Sequence, residues 1–238
     1  MVARVWDNPR LLNAAAGFLV GLATLAAVLV GAYRIGSSPL FALRAVELRA
    51  PPERAPRAAI EAAIRSHLAG NFFSVDVGAL RAGLEQVPWV RAASVRRIWP
   101  DRLEVSLEEH VALARWGDEA LVSVRGERFA AKSDAQLPLF IGPAGAEAEV
   151  ARGYARFAPL VEPLGSRLER VVLSARRAWQ VRLADGTSLV LGRDAERAEE
   201  RLRRFVEVRA AVAPAKPGST VDLRYPNGFA LRVPDWNG

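Results

Sequence analysis

The sequence predicts an α+β chain: a single transmembrane helix, then a β-α-α-β-β domain, then a mainly antiparallel β-domain with flanking helices. Three observations predict it. No residue from Leu11 to Tyr33 carries a charge. Apolar residues then follow helical spacing at Ile60, Ala63, Ile64 and Leu68 and again at Leu80 and Leu84, before switching to alternation at Leu103, Val105 and Leu107. From Ala112 onward short alternating segments separated by turn residues dominate, until a long amphipathic stretch at 193–212.

The uncharged stretch, at a rise of ~1.5 Å per residue, reaches about 34 Å, enough to cross a hydrocarbon core of ~30 Å. Tyr33 stands where an interfacial aromatic would, and Arg10 and Arg34 bracket the span. A cleaved signal peptide has a shorter apolar region, ~7–15 residues, ending in a small-x-small site; here the stretch runs into Arg34-Ile35-Gly36. The span is therefore read as a retained anchor at 11–33. Flanking charge does not orient it, because Arg4 and Arg10 on one side face Arg34, Arg44 and Arg49 on the other.

Gly36-Ser37-Ser38-Pro39 forms a spacer, and residues 40–109 form the first domain. A strand at 41–49 stops at Pro51-Pro52. A helix at 57–68 is capped by Gly70-Asn71, and a second at 77–86 starts from Asp76 as N-cap. Strands at 92–98 and 102–108 flank a Pro100-Asp101 turn, with Leu103 and Val105 facing inward.

Residues 110–233 form the second domain. Its strands are expected at 111–115, 120–124 and 137–140, followed by a helix at 147–164. Strands 180–183 and 188–191 flank Ala184-Asp185-Gly186-Thr187, where Asp185-Gly186 suits a two-residue type I′ hairpin turn. The helix at 193–212 buries Ala195, Ala198, Leu202, Phe205 and Val206 and pairs Glu199 with Arg203 and Glu200 with Arg204 on its wet face. Strands at 220–225 and 229–233 close the fold, leaving a tail at 234–238.

A net charge of +7 raises nucleic acid or anionic lipid as partners. The arginines are interleaved with glutamates, as in Glu196-Arg197-Ala198-Glu199-Glu200-Arg201, with no basic run and no interleaved aromatics. That favours a solvated basic surface and no nucleic acid. The absence of cysteine is compatible with an oxidising compartment without requiring one.

Nothing points to catalysis. His67 and His110 stand alone, so neither metal nor cofactor is expected. Glu108 and Glu109 are neighbours on a strand and point to opposite faces. Neither a nucleophile elbow nor a phosphate-binding glycine loop occurs. A binding or scaffold protein is the better reading.

The segments Gly70-Asn71-Phe72-Phe73-Ser74-Val75-Asp76 and Val87-Pro88-Trp89-Val90 through Arg96-Arg97-Ile98-Trp99-Pro100-Asp101-Arg102-Leu103-Glu104-Val105 resemble the FtsQ/DivIB family of bacterial cell-division proteins. Ala175-Arg176-Arg177-Ala178-Trp179-Gln180-Val181, Leu191-Gly192-Arg193 and Val221-Asp222-Leu223-Arg224-Tyr225 extend the resemblance over nearly the whole chain. Glu109-His110-Val111 departs from it where the family has a proline.

The resemblance implies a non-enzymatic type II inner-membrane protein at the division septum, with residues 1–10 cytoplasmic and the bulk periplasmic. It implies a POTRA domain followed by the family's β-domain, and a ternary complex with FtsB and FtsL. That complex links early and late divisome proteins and helps control septal peptidoglycan synthesis; a homodimer is a further possibility. The partner-binding residues it implies are Arg177, Trp179, Leu223, Arg224, Tyr225 and Gly228.

Physically, a late strand at a sheet edge accepts a partner strand, with Arg177 and Arg224 meeting its carboxylates and Tyr225 an apolar contact. The competing arrangement is a closed hairpin with Tyr225 packed on Phe229 and the arginines solvated. Trp89 and Trp99 are read as core and turn packing. Two other functions compete: a POTRA-containing envelope transport factor, for whose barrel the second domain is too short, and a membrane-anchored envelope enzyme.

Overall fold

The protein is described by a computed structural model covering residues 9–36, 41–211, 218–225 and 228–233. It divides into two compact units, Met1–Glu109 and His110–Gly238.

Helix α1 (Pro9–Gly36) has 28 residues and is apolar enough to cross a membrane over Pro9–Gly31. None of that window is buried against protein, as a lipid-facing helix requires. Its polar Thr24 is neutralised locally, because the hydroxyl donates to the Val20 carbonyl at 2.8 Å.

In the rest of the first unit, β1 (Ala45–Leu48), α2 (Arg57–His67), α3 (Val77–Glu85), β2 (Val90–Ile98) and β3 (Arg102–Glu109) follow in order. The sheet runs β1-β3-β2, with β1 parallel and β2 antiparallel to the central β3. Asp76 caps α3 as its position before the apolar run predicts, accepting from the Gly78 and Ala79 amides at 2.9 Å. Gly70-Asn71 has a different role from the expected helix cap. Helix α2 ends at His67, and the Asn71 carboxamide instead accepts from the Phe73 and Ser74 amides at 3.0 Å, folding the turn into α3. Helices α2 and α3 come close where Gly83 faces His67, whose ring would lie 2.4 Å from any added Cβ.

Ile60, Leu80, Leu84, Leu103 and Val105 are fully buried and form the centre of this domain. Leu103→Ala is therefore expected to cost about 2–4 kcal/mol. A thermal midpoint equal to wild type would show that Leu103 does not face the core. Glu108 and Glu109 take separate partners, as opposite faces demand: Glu108 holds Arg91, and Glu109 accepts the amides of Glu53, Arg54 and Ala55. Trp89 is buried, whereas Trp99 is 73 % exposed. The expectation that Trp99 packs its turn is thus corrected: it sits at the tip of the β2–β3 hairpin, where its ring stays in the open.

The second unit contains one nine-stranded sheet, ordered β12-β11-β10-β9-β8-β7-β4-β5-β6. Its strands are β4 (Ala112–Trp116), β5 (Ala120–Ser123), β6 (Arg128–Phe129), β7 (Leu139–Ile141), β8 (Leu168–Leu173), β9 (Trp179–Leu183), β10 (Ser188–Gly192), β11 (Thr220–Asp222) and β12 (Ala230–Arg232). Antiparallel pairing dominates; β4–β7, β7–β8 and β10–β11 are parallel. The last of these pairs is bridged by α5 (Ala195–Ala211), and α4 (Glu147–Val161) connects β7 to β8 before a 3-10 turn at Glu162–Leu164. Phe140, Phe157, Leu173, Leu183, Leu189, Leu191 and Leu202 are fully buried in the shared core.

The Asp185-Gly186 turn joins β9 to β10 by a different route from the two-residue turn the dipeptide predicts. Only Gly186 has positive φ, +86°, and Asp185 does not, which excludes type I′. The Gly186 amide donates to the Leu183 carbonyl and the Leu183 amide to Thr187, so the loop has three residues, Ala184 joining it. This type I turn with a glycine bulge is tied to the end of α5 by Arg209, 2.9 Å from Asp185. Burial pushes the Asp185 carboxyl up, but the Thr187 amide and hydroxyl and the Arg209 charge together hold it below its usual range. Helix α5 begins at Ala195 rather than at the expected Arg193 and is described to Ala211; Val212, Pro226 and Asn227 lie outside the described residues.

Candidate functional site

The end of the sheet at β12 carries the site. Strand β12 pairs with β11 on one side only, and Ala230, Leu231 and Arg232 are exposed. The sequence places the edge at the preceding strand; the structure corrects this. Residues Thr220–Asp222 are paired on both sides, to β10 and to β12, so the accessible backbone belongs to β12.

Beside that edge lies an open groove of about 500 Å³ between α5 and the terminal hairpin. Phe205, Val208, Arg201 and Arg204 line it from α5, and Leu223, Tyr225, Gly228 and Phe229 from the hairpin. Alternation fixes part of it: Val221 and Leu223 are buried under the sheet. It fails at Tyr225, which is 57 % exposed, because β11 ends at Asp222 and the chain then leaves the sheet. Phe229 is also exposed, with its ring edge-on to Phe205 at 5.6 Å. Sequence reading missed Val208 and Phe229 as wall residues. Val208 falls off the buried stripe of α5, and that offset was the one available signal.

Arg224 does not point a free guanidinium outward. Its Nε donates to Asp222 at 2.9 Å and its Nη2 at 2.6 Å, closing a two-residue clamp. The hydrogen bond from Arg224 holds the Asp222 carboxyl below its usual range against the opposing push of partial burial, and Arg201 adds its charge. Asp222 raises Arg224 in turn. A depressed carboxylate keeps its contribution above its unfolded pKa, so the clamp is intact above about pH 4 and lost only as pH falls through the lower folded value. Gly192 makes room for this cluster: at φ +96°, an added Cβ would meet the Arg201 Nη1 at 2.7 Å and Arg224 at 3.5 Å. That Nη1 donates to the Leu191 carbonyl at 2.7 Å.

The structure puts Leu223, Tyr225 and Gly228 in the groove wall, holds Arg224 between Leu223 and Tyr225 but outside that wall, and leaves two expected residues out altogether. Trp179 is 2 % exposed and packs edge-on to Phe157 at 5.4 Å, so its ring offers no surface to a partner. Arg177 sits in the β8–β9 turn at φ +60°, engaged with Glu149 on α4. Neither lines the groove. Among the described residues no cluster of three or more His, Cys, Asp or Glu side chains is placed to hold a metal ion.

Comparison with known proteins separates a cell-division fold from other sheet proteins with an open edge. The FtsQ-type POTRA domain matches residues 41–110, and the C-terminal part of cell division protein FtsQ/DivIB matches residues 114–224. The chain belongs to the FtsQ/DivIB family. It is 42 % identical to the cell division protein FtsQ of Burkholderia pseudomallei, over 96 % of this chain and 94 % of that one. It is also 42 % identical to the FtsQ of Nitrosospira multiformis, over 96 % and 99 %. The FtsQ of Bordetella pertussis is 38 % identical over 96 % and 93 %. The β-α-α-β-β domain is thus a POTRA domain. Family membership together with α1 makes the chain a single-pass inner-membrane protein of the division machinery.

Proposed function

We propose that this chain is a non-enzymatic scaffold of the divisome that binds FtsB, and through it FtsL, along β12 and the adjoining groove. In this reading it links early and late cell-division proteins at the septum and helps control septal peptidoglycan synthesis. The observation that carries it is the exposed β12 edge lying beside a groove walled by apolar side chains and the arginines of α5. A partner strand added to β12 gains backbone hydrogen bonds, while the groove takes its side chains and supplies selectivity. The Asp222–Arg224 clamp then stiffens the hairpin, and the remaining donors of Arg224 stay available for a partner carboxylate. Titration calorimetry of the purified full chain against the periplasmic segment of FtsB tests this. Saturable binding is expected, and no binding would overturn it.

We further infer that everything after Tyr33 is periplasmic, since the proposed partners meet the chain there. A C-terminal alkaline phosphatase fusion is expected to be active. An inactive enzyme, with fluorescence from a cytoplasmic-type reporter at the same position, would reverse the orientation.

A further inference from the structure

The POTRA domain carries a second exposed apolar surface, remote in sequence from β12. Among its described residues the large hydrophobic side chains that are exposed are Phe73 at 54 %, Ile98 at 42 % and Trp99 at 73 %. All three lie at one end of the sheet. Strand β1 enters beside the start of β3, with Ala45 opposite Arg102, and the Arg44 amide donates to the Asp101 carbonyl at 2.9 Å. The Trp99-Pro100-Asp101 turn is therefore next to the domain's entry point. Phe73 is at the same place, because its ring lies edge-on to Phe41 at 4.9 Å and the Phe72 amide donates to the Phe41 carbonyl at 2.8 Å. Arg97 joins the two halves through its bond to the Val75 carbonyl at 2.7 Å.

What faces this end follows from chain length. Helix α1 ends at Gly36, and Phe41 is already part of the domain. Five peptide steps span at most about 18 Å, even fully extended. A membrane-crossing α1 with Arg34 at its end places Gly36 in the headgroup region, so Phe41 and the aromatic ring touching it are held within reach of the bilayer. Exposed Trp and Phe beside arginine is the composition that the membrane interface favours. Arg44, whose side chain is 79 % exposed with its Nε 3.5 Å from the Asp101 carboxylate, supplies the cation on this end, its outer guanidinium nitrogens facing the solvent side.

We propose that this end of the POTRA domain, Phe73, Ile98 and Trp99 around Phe41, rests on the phospholipid bilayer where α1 leaves it. The aromatic and aliphatic tips enter the headgroup layer, Arg44 meets phosphate, and the domain is held at a fixed attitude to the membrane. The inference rests on α1 crossing the membrane and is independent of what β12 binds.

The chain contains no cysteine, so single-cysteine labels can be introduced without background. Phe73→Cys, Ile98→Cys and Glu53→Cys chains, each full length and carrying a nitroxide, are to be placed in nanodiscs of phosphatidylethanolamine and phosphatidylglycerol. Glu53 is the control because its backbone bonds to Glu109, at the far end of the eight-residue β3, about 23 Å away. Spin relaxation by oxygen, which concentrates in lipid, is expected to exceed relaxation by a water-soluble nickel chelate several-fold at positions 73 and 98. The order should reverse at 53. Equal nickel access at all three sites would overturn the proposal. So would labels at 73 and 98 shielded from both reagents, which would mean a protein covers this end. The Ile98 label leaves the Phe41–Phe73 pair intact, so an ill-folded Phe73→Cys chain does not remove the test.

Discussion

Replacing Trp179 by alanine is expected to destabilise the β-domain by about 3–5 kcal/mol, the range for truncating a buried large aromatic. The indole is 2 % exposed, meets Phe157 edge-on, and lies so close beneath α4 that a Cβ on Gly153 would come within 2.4 Å of its ring. Truncation leaves a void that close-packed neighbours fill only in part. A domain is typically stable by ~5–15 kcal/mol, so the loss is a large share of what holds it together. Near-ultraviolet circular dichroism of the full chain should show a melting midpoint lower by roughly 10 °C or more. A midpoint within a degree or two of wild type would mean the ring does not pack as described. Any loss of partner binding in this variant would then follow from unfolding.

Tyr225→Ala is the opposite case. The residue is exposed and lines the groove, so its removal should leave the fold intact and weaken FtsB binding by at least about 2 kcal/mol, or roughly 30-fold in Kd. Arg224→Glu should weaken binding as well, but it also sets two carboxylates side by side at Asp222 and so perturbs the hairpin. Tyr225→Ala is therefore the cleaner probe. Calorimetry against the FtsB segment, with circular dichroism to establish the fold, separates the outcomes. Unchanged affinity would move the interface away from the groove. Lost affinity with a changed spectrum would mean that Tyr225 only holds the hairpin closed.

Much of the fold was legible because long periodic segments leave little choice. The uncharged stretch of α1, the stripe Ala198-Leu202-Phe205 of α5 and the alternation at Leu103 and Val105 each follow from a single period. Strand β8 was not legible. In Leu168-Glu169-Arg170-Val171-Val172-Leu173 a register shift between Leu168 and Arg170 breaks the two-residue repeat, so inward residues stop alternating. The hairpin at Asp185-Gly186 was legible as a turn but not as to length, since nothing in Ala184 assigns it to strand or loop. The site was half legible. Leu223 and Tyr225 stand out in sequence, but the groove needs α5 laid against the hairpin, and the β10–β11 crossover that does this is a tertiary event. Trp179 shows the converse error: a large aromatic within a recognisable motif served packing.

The sheet ends in very short strands. β12 has three residues and β6 has two. Anchored in a membrane, copies of this chain move in two dimensions at high local concentration, where a long bare edge would invite sheets to join end to end into fibres. A three-residue rim gives a neighbour only a few backbone hydrogen bonds, each worth about 1 kcal/mol net, too little to hold without side-chain complementarity. Brevity thus works as a filter: a like copy gains little from docking, and only a chain whose side chains also fill the groove can stay.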